Sequence, residues 1–431
     1  MSHPLADAEV NTAPLGLVAE VTLGKMIQSS PVEGAELVPY IKAKNVRPEK
    51  VEVDSLGSMY ATPAERVALA VRMGDIFVIE GGATAGRAAA VRDSPPEECI
   101  FQNAVHRVRA GPRMEQRFLY YVLAAYPQTG WYEAICSAAT FKHLTGEKMA
   151  RLPVPVPPLE VQRRVADMLD TETVRIDTLI EKNERVLELL SQRATALITA
   201  AVTGAVDVGQ SGGPRTPFGN HVMSSLVTGL STGLQPIRPM RYLAEVNSQS
   251  LPETHPVDAE IEYLDIGAVG HGQILLTPDR MTFGAAPSRA RRVVQKGDIL
   301  VSTVRTYLRA VARIAEPPEN LIASTGFAVL RARPDVIEPR FLFYWCLSDH
   351  FIESVVSKST GVSYPAINAS DLLAMPVFCP PLDVQRRIAD MLDVEIEKME
   401  ELRSTVNRQQ DLLRLRRQAL ITAAVTGQIE V

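Results

Sequence analysis

The sequence predicts an α+β chain: two pseudo-symmetric α+β domains separated by two long antiparallel coiled-coil helices. Three observations carry that prediction. The nine residues ALITAAVTG occur at Ala196–Gly204 and again at Ala419–Gly427. A shift of 223 residues lays Arg151–Val208 over Ala374–Val431 without a gap, with about 30 of 58 positions identical. Upstream of these stretches the two halves share only short islands, such as RMGDIFV (Arg72–Val78) over QKGDILV (Gln295–Val301). A period this long marks two copies of one unit, each a variable globular part followed by a shared segment.

The boundaries follow in order. Residues 1–15 read as a flexible N-terminus and 16–156 as the first variable domain. Residues 157–204 form a first rod, 205–239 a linker rich in Gly, Ser, Thr and Pro, and 240–379 the second variable domain. Residues 380–427 form the second rod and 428–431 a tail. Strands are expected at Leu37–Ile41, Val105–Val108, Ile261–Ile266 and Phe327–Leu330, and after the two Gly-Asp-Ile turns. QRFLYYVLAAY and PRFLFYWCLSDHFIESVV read as buried helices. No β-helix-β rhythm appears, so a doubly wound sheet is not expected.

Each rod starts after a Pro-Pro pair and runs without Pro or Gly to Gly204 or Gly427, where a C-cap belongs. Apolar residues recur in steps of three and four. They are Val165, Leu169, Ile176, Leu179, Val186, Leu190, Leu197 and Ala201 in the first rod. The second has Ile388, Leu392, Met399, Leu402, Val406, Leu413, Leu420 and Ala424. This is a coiled-coil stripe. About 45 residues at 1.5 Å each give a rod of roughly 65 Å. Two matching rods in one chain suggest helices that lie antiparallel and bury each other's stripes.

Composition narrows the function classes. A formal net charge of −5 argues against a polybasic protein. Cys99, Cys136, Cys346 and Cys379 are isolated, without metal-ligand spacing, and read as reduced thiols of a cytoplasmic protein. Apolar runs such as FLFYWCL are too short to span a membrane. EGGATAGRA (Glu80–Ala88) has the outline of a phosphate loop but lacks the Lys and Ser/Thr that such a loop needs. No metal cluster, cofactor loop or catalytic constellation emerges, so the chain reads as non-catalytic.

The remaining signal is basic and polar. Between Asp279 and Arg313 lie Arg280, Arg289, Arg291, Arg292, Lys296, Arg305, Arg309 and Arg313, interleaved with Thr303, Thr306 and Tyr307. The first domain carries Lys44, Arg87, QNAVHRVR around His106 and TFKHLTGEK around Lys142 and His143. Arginine and lysine neutralise phosphates, and Arg, Asn, Gln, Ser and Thr read base edges. The candidate DNA contacts are Lys44, Gly82, Thr84, Arg87, His106, Lys142 and His143 in the first domain. In the second they are Arg291, Arg292, Thr303, Arg305, Tyr307, Arg309 and Tyr364. The competing reading is a solvated charged face on a coiled-coil adaptor that binds proteins and no DNA.

Two variable domains alternating with near-identical rods, the segments LPVPVPPLEVQRRVADMLD and MPVFCPPLDVQRRIADMLD, and the repeated ALITAAVTG resemble the specificity subunit of a type I restriction–modification enzyme. KGDILVSTVRTYLRAVA, ASTGFAVLRAR and SYPAIN are similar to that family's target-recognition domains. The first domain departs from the pattern at QNAVHRVRA and FKHLTGEKM. The resemblance implies that each variable domain reads one half of a split, asymmetric double-stranded DNA target and that the helices set the spacer. It implies two methyltransferase subunits that use S-adenosylmethionine and two motor-nuclease subunits that use ATP and Mg²⁺. No cofactor is then expected in this chain itself.

Overall fold

The computed structural model describes residues 11–48, 50–128, 143–204, 237–361 and 365–429. It divides into two compact units, residues 1–184 with 407–431 and residues 185–406.

In the first unit, β1 (Thr12–Pro14) pairs antiparallel with β9 (Pro153–Pro155). Thr12–Pro14 therefore belongs to the folded domain, which corrects the expected flexible boundary at residue 15. β2 (Ala19–Leu23), β5 (Ile76–Ile79), β6 (Ala88–Ala90) and β8 (Val105–Ala110) form an antiparallel sheet in the order β2-β8-β5-β6. β3 (Glu36–Ile41), β4 (Gly57–Ala61) and β7 (Ile100–Phe101) form a second sheet in which β3 and β7 run parallel. The helices are α1 (Pro63–Ala68), α2 (Gln116–Ala125) and α3 (Gly146–Ala150), followed by the first rod, α4 (Leu159–Thr203).

The second unit repeats this plan. β10 (Ile237–Pro239) pairs with β19 (Pro376–Phe378), so the linker expected through residue 239 ends earlier. β11 (Ala244–Val246), β15 (Ile299–Ser302), β16 (Val311–Arg313) and β18 (Phe327–Ala332) follow the order β11-β18-β15-β16. β12 (Glu260–Leu264), β13 (Asp279–Thr282), β14 (Ala290–Val293) and β17 (Leu321–Ser324) form the other sheet, with β12 and β17 parallel. The expected single helix over PRFLFYWCLSDHFIESVV is two, α5 (Pro339–Leu347) and α6 (Asp349–Lys358). The break falls at Ser348, whose hydroxyl accepts from the Phe351 N–H and caps α6. α7 (Ala369–Leu373) and the second rod, α8 (Leu382–Val425), follow; α8 beyond residue 406 and α4 up to residue 184 belong to the first unit.

The rods end as the sequence requires: Gly204 and Gly427 take φ of 65° and 73°, the left-handed C-cap conformation. Their packing explains the repeated nonapeptide. In the first unit, Val165, Ala166 and Leu169 of α4 share a core with Phe118, Tyr121 and Leu123 of α2. Ile421, Ala424 and Val425 of α8 complete the same core. In the second unit, Val384, Ile388 and Leu392 of α8 share a core with Phe341, Trp345 and Phe351. Leu197, Ile198, Ala201 and Val202 of α4 complete it. Each ALITAAVTG is thus the rod end that docks on the variable domain of the other copy.

The rods are antiparallel within each unit. In the first, Arg417 pairs with Asp177 at 2.8 Å and Arg414 with Glu184 at 3.9 Å. In the second, Leu190, Ala194 and Ile198 face a cavity also lined by Arg403, Met399 and Ile396. The expected continuous apolar seam is corrected at its middle: Leu179, Val186 and Leu402 are 44%, 37% and 48% exposed. Polar groups stand there instead, including Gln410, whose amide donates to the Ile180 carbonyl.

The domain-to-rod junction repeats as well. Gln162 accepts from the Glu115 N–H and donates to the Pro157 carbonyl; Gln385 does the same with Glu338 and Pro380. Tyr121 donates to Asp170 at 2.6 Å and Tyr344 to Asp393 at 2.6 Å. Arg117 bridges Glu115, Asp167 and Asp170, and Arg340 bridges Glu338, Asp390 and Asp393.

Candidate nucleic-acid interface

In both domains the strand after the Gly-Asp-Ile turn feeds a short loop, and the two loops share one backbone. In the first, the Ala85 N–H donates to the Gly82 carbonyl; in the second, the Leu308 N–H donates to the Arg305 carbonyl. Gly82 and Gly86 have φ of 87° and 82°. The residues 223 positions later, Arg305 and Arg309, have φ of 50° and 57°. Glycine adopts this region freely, whereas a side-chain-bearing residue there costs roughly 1–2 kcal/mol. The second domain therefore keeps two arginines in positions that favour glycine.

The tips differ in bulk. The first presents Ala83, Thr84 and Ala85, and a Cβ placed on Gly82 would meet no atom within 4 Å. The second presents Thr306, Tyr307 and Leu308 as a single 3-10 turn, with Tyr307 and Leu308 both 54% exposed. Its base is well braced. The Thr303 N–H and hydroxyl both donate to the Gly326 carbonyl, the Arg305 N–H donates to Pro365, and Thr306 bonds Ser359. Thr303 is thus a structural member of the loop, its hydroxyl already engaged.

Arg291 and Arg292 lie on β14, whose preceding residue Arg289 accepts at its carbonyl from the Thr325 N–H. That bond ties the strand to the same Thr325–Gly326 turn that holds Thr303. The Arg291 guanidinium sits 4.7 Å from the centre of the Phe283 ring. Arg292 is half-buried, its Nε has no hydrogen-bond partner, and burial lowers its pKa. The uneven charge of this stretch is partly compensated by acids from elsewhere in the chain. Arg280 pairs with Glu260, Arg289 with Asp265, Lys296 with Glu316 and Arg309 with Asp349.

In the first domain Lys44 is exposed in a turn after β3, and Arg87 is half-buried at the end of the glycine loop. His143 is exposed, 3.4 Å from Glu80, and bridges Gly81 through its backbone. It thereby joins Gly82, Thr84 and Arg87 at one loop. His106 does not. It is fully buried, its Nε2–H donates to the Leu144 carbonyl at 2.8 Å, and desolvation lowers its pKa. The expectation that His106 contacts DNA is corrected: its inward position on β8 makes it a core residue that anchors Leu144. Lys142 and Tyr364 lie outside the described residues.

Sequence reasoning missed Asp349, Glu80 and His271, which touch the two loops. His271 donates from Nδ1 to the Arg309 carbonyl at 3.2 Å. Asp349 and His271 are brought in by long-range packing and carry no local motif, whereas Glu80 lies in the glycine-loop segment itself. Among the described residues no cluster of His, Cys, Asp or Glu could hold a metal ion, and no helix is long and apolar enough to cross a membrane.

Taken together, the geometry defines a duplicated scaffold in which each copy presents one backbone loop with different side chains. The chain belongs to the specificity-subunit family of type I restriction–modification enzymes. The family model for the type I restriction modification DNA specificity domain matches residues 8–189 and 265–408. The chain is similar to the EcoBI specificity subunit of Escherichia coli, with 24% identity over 74% of this chain and 66% of that one. It therefore spans just under two thirds of that relative. It is also similar to the putative MjaX specificity subunit of Methanocaldococcus jannaschii, with 21% identity over 91% of this chain and 87% of that one. A solved chain from a study of assembly and conformational transition of the type I R-M system shares the fold at TM-score 0.62. It is 20% identical, and the match covers 100% of both chains.

Proposed function

We propose that this chain is the DNA-specificity subunit of a type I restriction–modification complex and has no catalytic role of its own. Each variable domain reads one half of a split, asymmetric target. The rods hold the domains and scaffold two methyltransferase and two motor-nuclease subunits. Those partners supply S-adenosylmethionine, ATP and Mg²⁺ chemistry, and the whole acts in the cytoplasm. The observation that carries the reading is the pair of equivalent loops with unlike side chains on duplicated frames. Identical readers would call for a palindrome; unlike readers call for an asymmetric target.

The contacts that remain in reach are Lys44, Gly82, Thr84, Arg87 and His143 in the first domain. In the second they are Arg291, Arg292, Arg305, Tyr307 and Arg309. Exposed lysines and arginines neutralise phosphates, and arginines held in fixed geometry read guanine. The net charge of −5 fits a subunit whose partners supply much of the phosphate contact. The test is to co-express the chain with its methyltransferase partner and replace the second variable domain by a copy of the first. Methylation of a split motif that has become palindromic, with the first half-site kept, supports the reading. A motif unchanged by the replacement contradicts it.

A further inference from the structure

We infer that Asp349 is a positioning residue that sets Arg309 to read a guanine in the half-site of the second domain. This rests on the DNA-reading function proposed above and names a residue within it.

Four constraints meet on Arg309. Its backbone is left-handed at φ 57°. Its N–H donates to the Thr306 carbonyl at 3.0 Å, and its own carbonyl accepts from His271. Its guanidinium pairs through Nη2 with Asp349. Asp349 is itself fixed as the first residue of α6: its backbone N–H donates to the Thr199 hydroxyl at 3.0 Å. Thr199 belongs to the repeated nonapeptide of α4. The arginine is thus tied through Asp349 to the rod end that closes the domain.

The arrangement is costly for a residue that only closes a loop. The first domain builds the same turn with Gly86 at the matching position, and its counterpart of Asp349 is Tyr126. The loop backbone therefore forms without an arginine or its carboxylate partner. What the second domain gains is a guanidinium with its Nε side buried and its Nη2 held, yet 38% exposed as a side chain. Backbone strain retained at a loop of this kind points to function. A planar fork fixed on one side and open on the other suits the paired N7 and O6 acceptors of guanine. Losing the carboxylate frees the fork to rotate, which weakens base choice more than it weakens attraction to phosphates.

The experiment uses the assembled complex with its methyltransferase partner and reads methylated motifs genome-wide. Wild type, Asp349→Asn, Arg309→Lys and Arg309→Gly are compared. Asp349→Asn is expected to relax one guanine position of one half-site by about tenfold, with the other half-site and the spacing unchanged. Arg309→Lys keeps the charge and lacks the fork, and is expected to relax the same position. Arg309→Gly restores the first domain's backbone choice and is expected to fold while losing that discrimination. A uniform drop in methylation with every base preference intact, in both Asp349→Asn and Arg309→Lys, would overturn the inference. If Asp349→Asn fails to fold, Arg309→Lys alone decides. If wild type itself methylates no split motif, the proposed function fails, which is a different result.

Discussion

Replacing Tyr344 by phenylalanine removes one atom from the junction between the second domain and α8. That hydroxyl donates to Asp393 at 2.6 Å, and Arg340 donates to the other carboxylate oxygen at 2.7 Å. Tyr344 is buried, so the lost group had no water partner to return to, while Asp393 is exposed enough to rehydrate. A hydrogen bond to a charged group contributes about 1.5–3 kcal/mol, and rehydration of the carboxylate brings the expected loss to about 1–2 kcal/mol. For a unit of roughly 200 residues that corresponds to about 3–6 °C in Tm. Tyr121→Phe should cost the first unit a similar amount, because its bond to Asp170 has the same length. The two sites lie in separate units, so their losses should add to within about 0.5 kcal/mol. Urea unfolding of both single variants, the double variant and a Tyr344→Phe/Asp393→Asn cycle provides the assay. Losses below about 0.3 kcal/mol, or no coupling in the cycle, would refute the claim that this bond holds domain to rod.

Further outcomes follow from the same structure. Asp177→Ala leaves the mostly buried Arg417 without its ion-pair partner and should cost about 1–3 kcal/mol, read by chemical denaturation; an unchanged midpoint counts against a polar lock between the rods. Burial lowers the pKa of His106 and His271 below the ordinary 6.5, so the unfolded chain binds the extra protons. Their contribution is therefore complete above pH 6.5 and is lost as pH falls through the lowered values, and His106→Gln should flatten that acid slope. Arg305→Ala should cost about 1–3 kcal/mol of binding if it reads a base and relax only the second half-site; equal loss on all sequences makes it a phosphate contact. The isolated chain should bind DNA weakly, with affinity falling steeply as salt rises, and tight, salt-insensitive binding contradicts the charge argument.

Much of the fold was legible because its signals are local. The Gly-Asp-Ile turns feed β5 and β15, and the Pro-Pro pairs and Gly204 and Gly427 bracket the rods. The repeat announced one rod after each variable domain. The errors are non-local. Thr12–Pro14 and Ile237–Pro239 become strands only through partners about 140 residues away in the chain. Leu179, Val186 and Leu402 fit a heptad, yet polar contacts take the mid-rod seam. His106 sits in a basic run, but β8 is an inner strand of its sheet and its first four residues are all buried. The arginine-rich stretch looked uncompensated because Glu260, Asp265, Glu316 and Asp349 approach it across the fold. Asp349 carries no motif at all and is visible only once α6 is placed beside the loop.

The most direct test of the central claim is a genome-wide map of methyladenine with this gene present and deleted, the partner methyltransferase being expressed in both. Loss of one split, asymmetric motif on deletion is the predicted result. A methylation map that does not change on deletion would contradict the account.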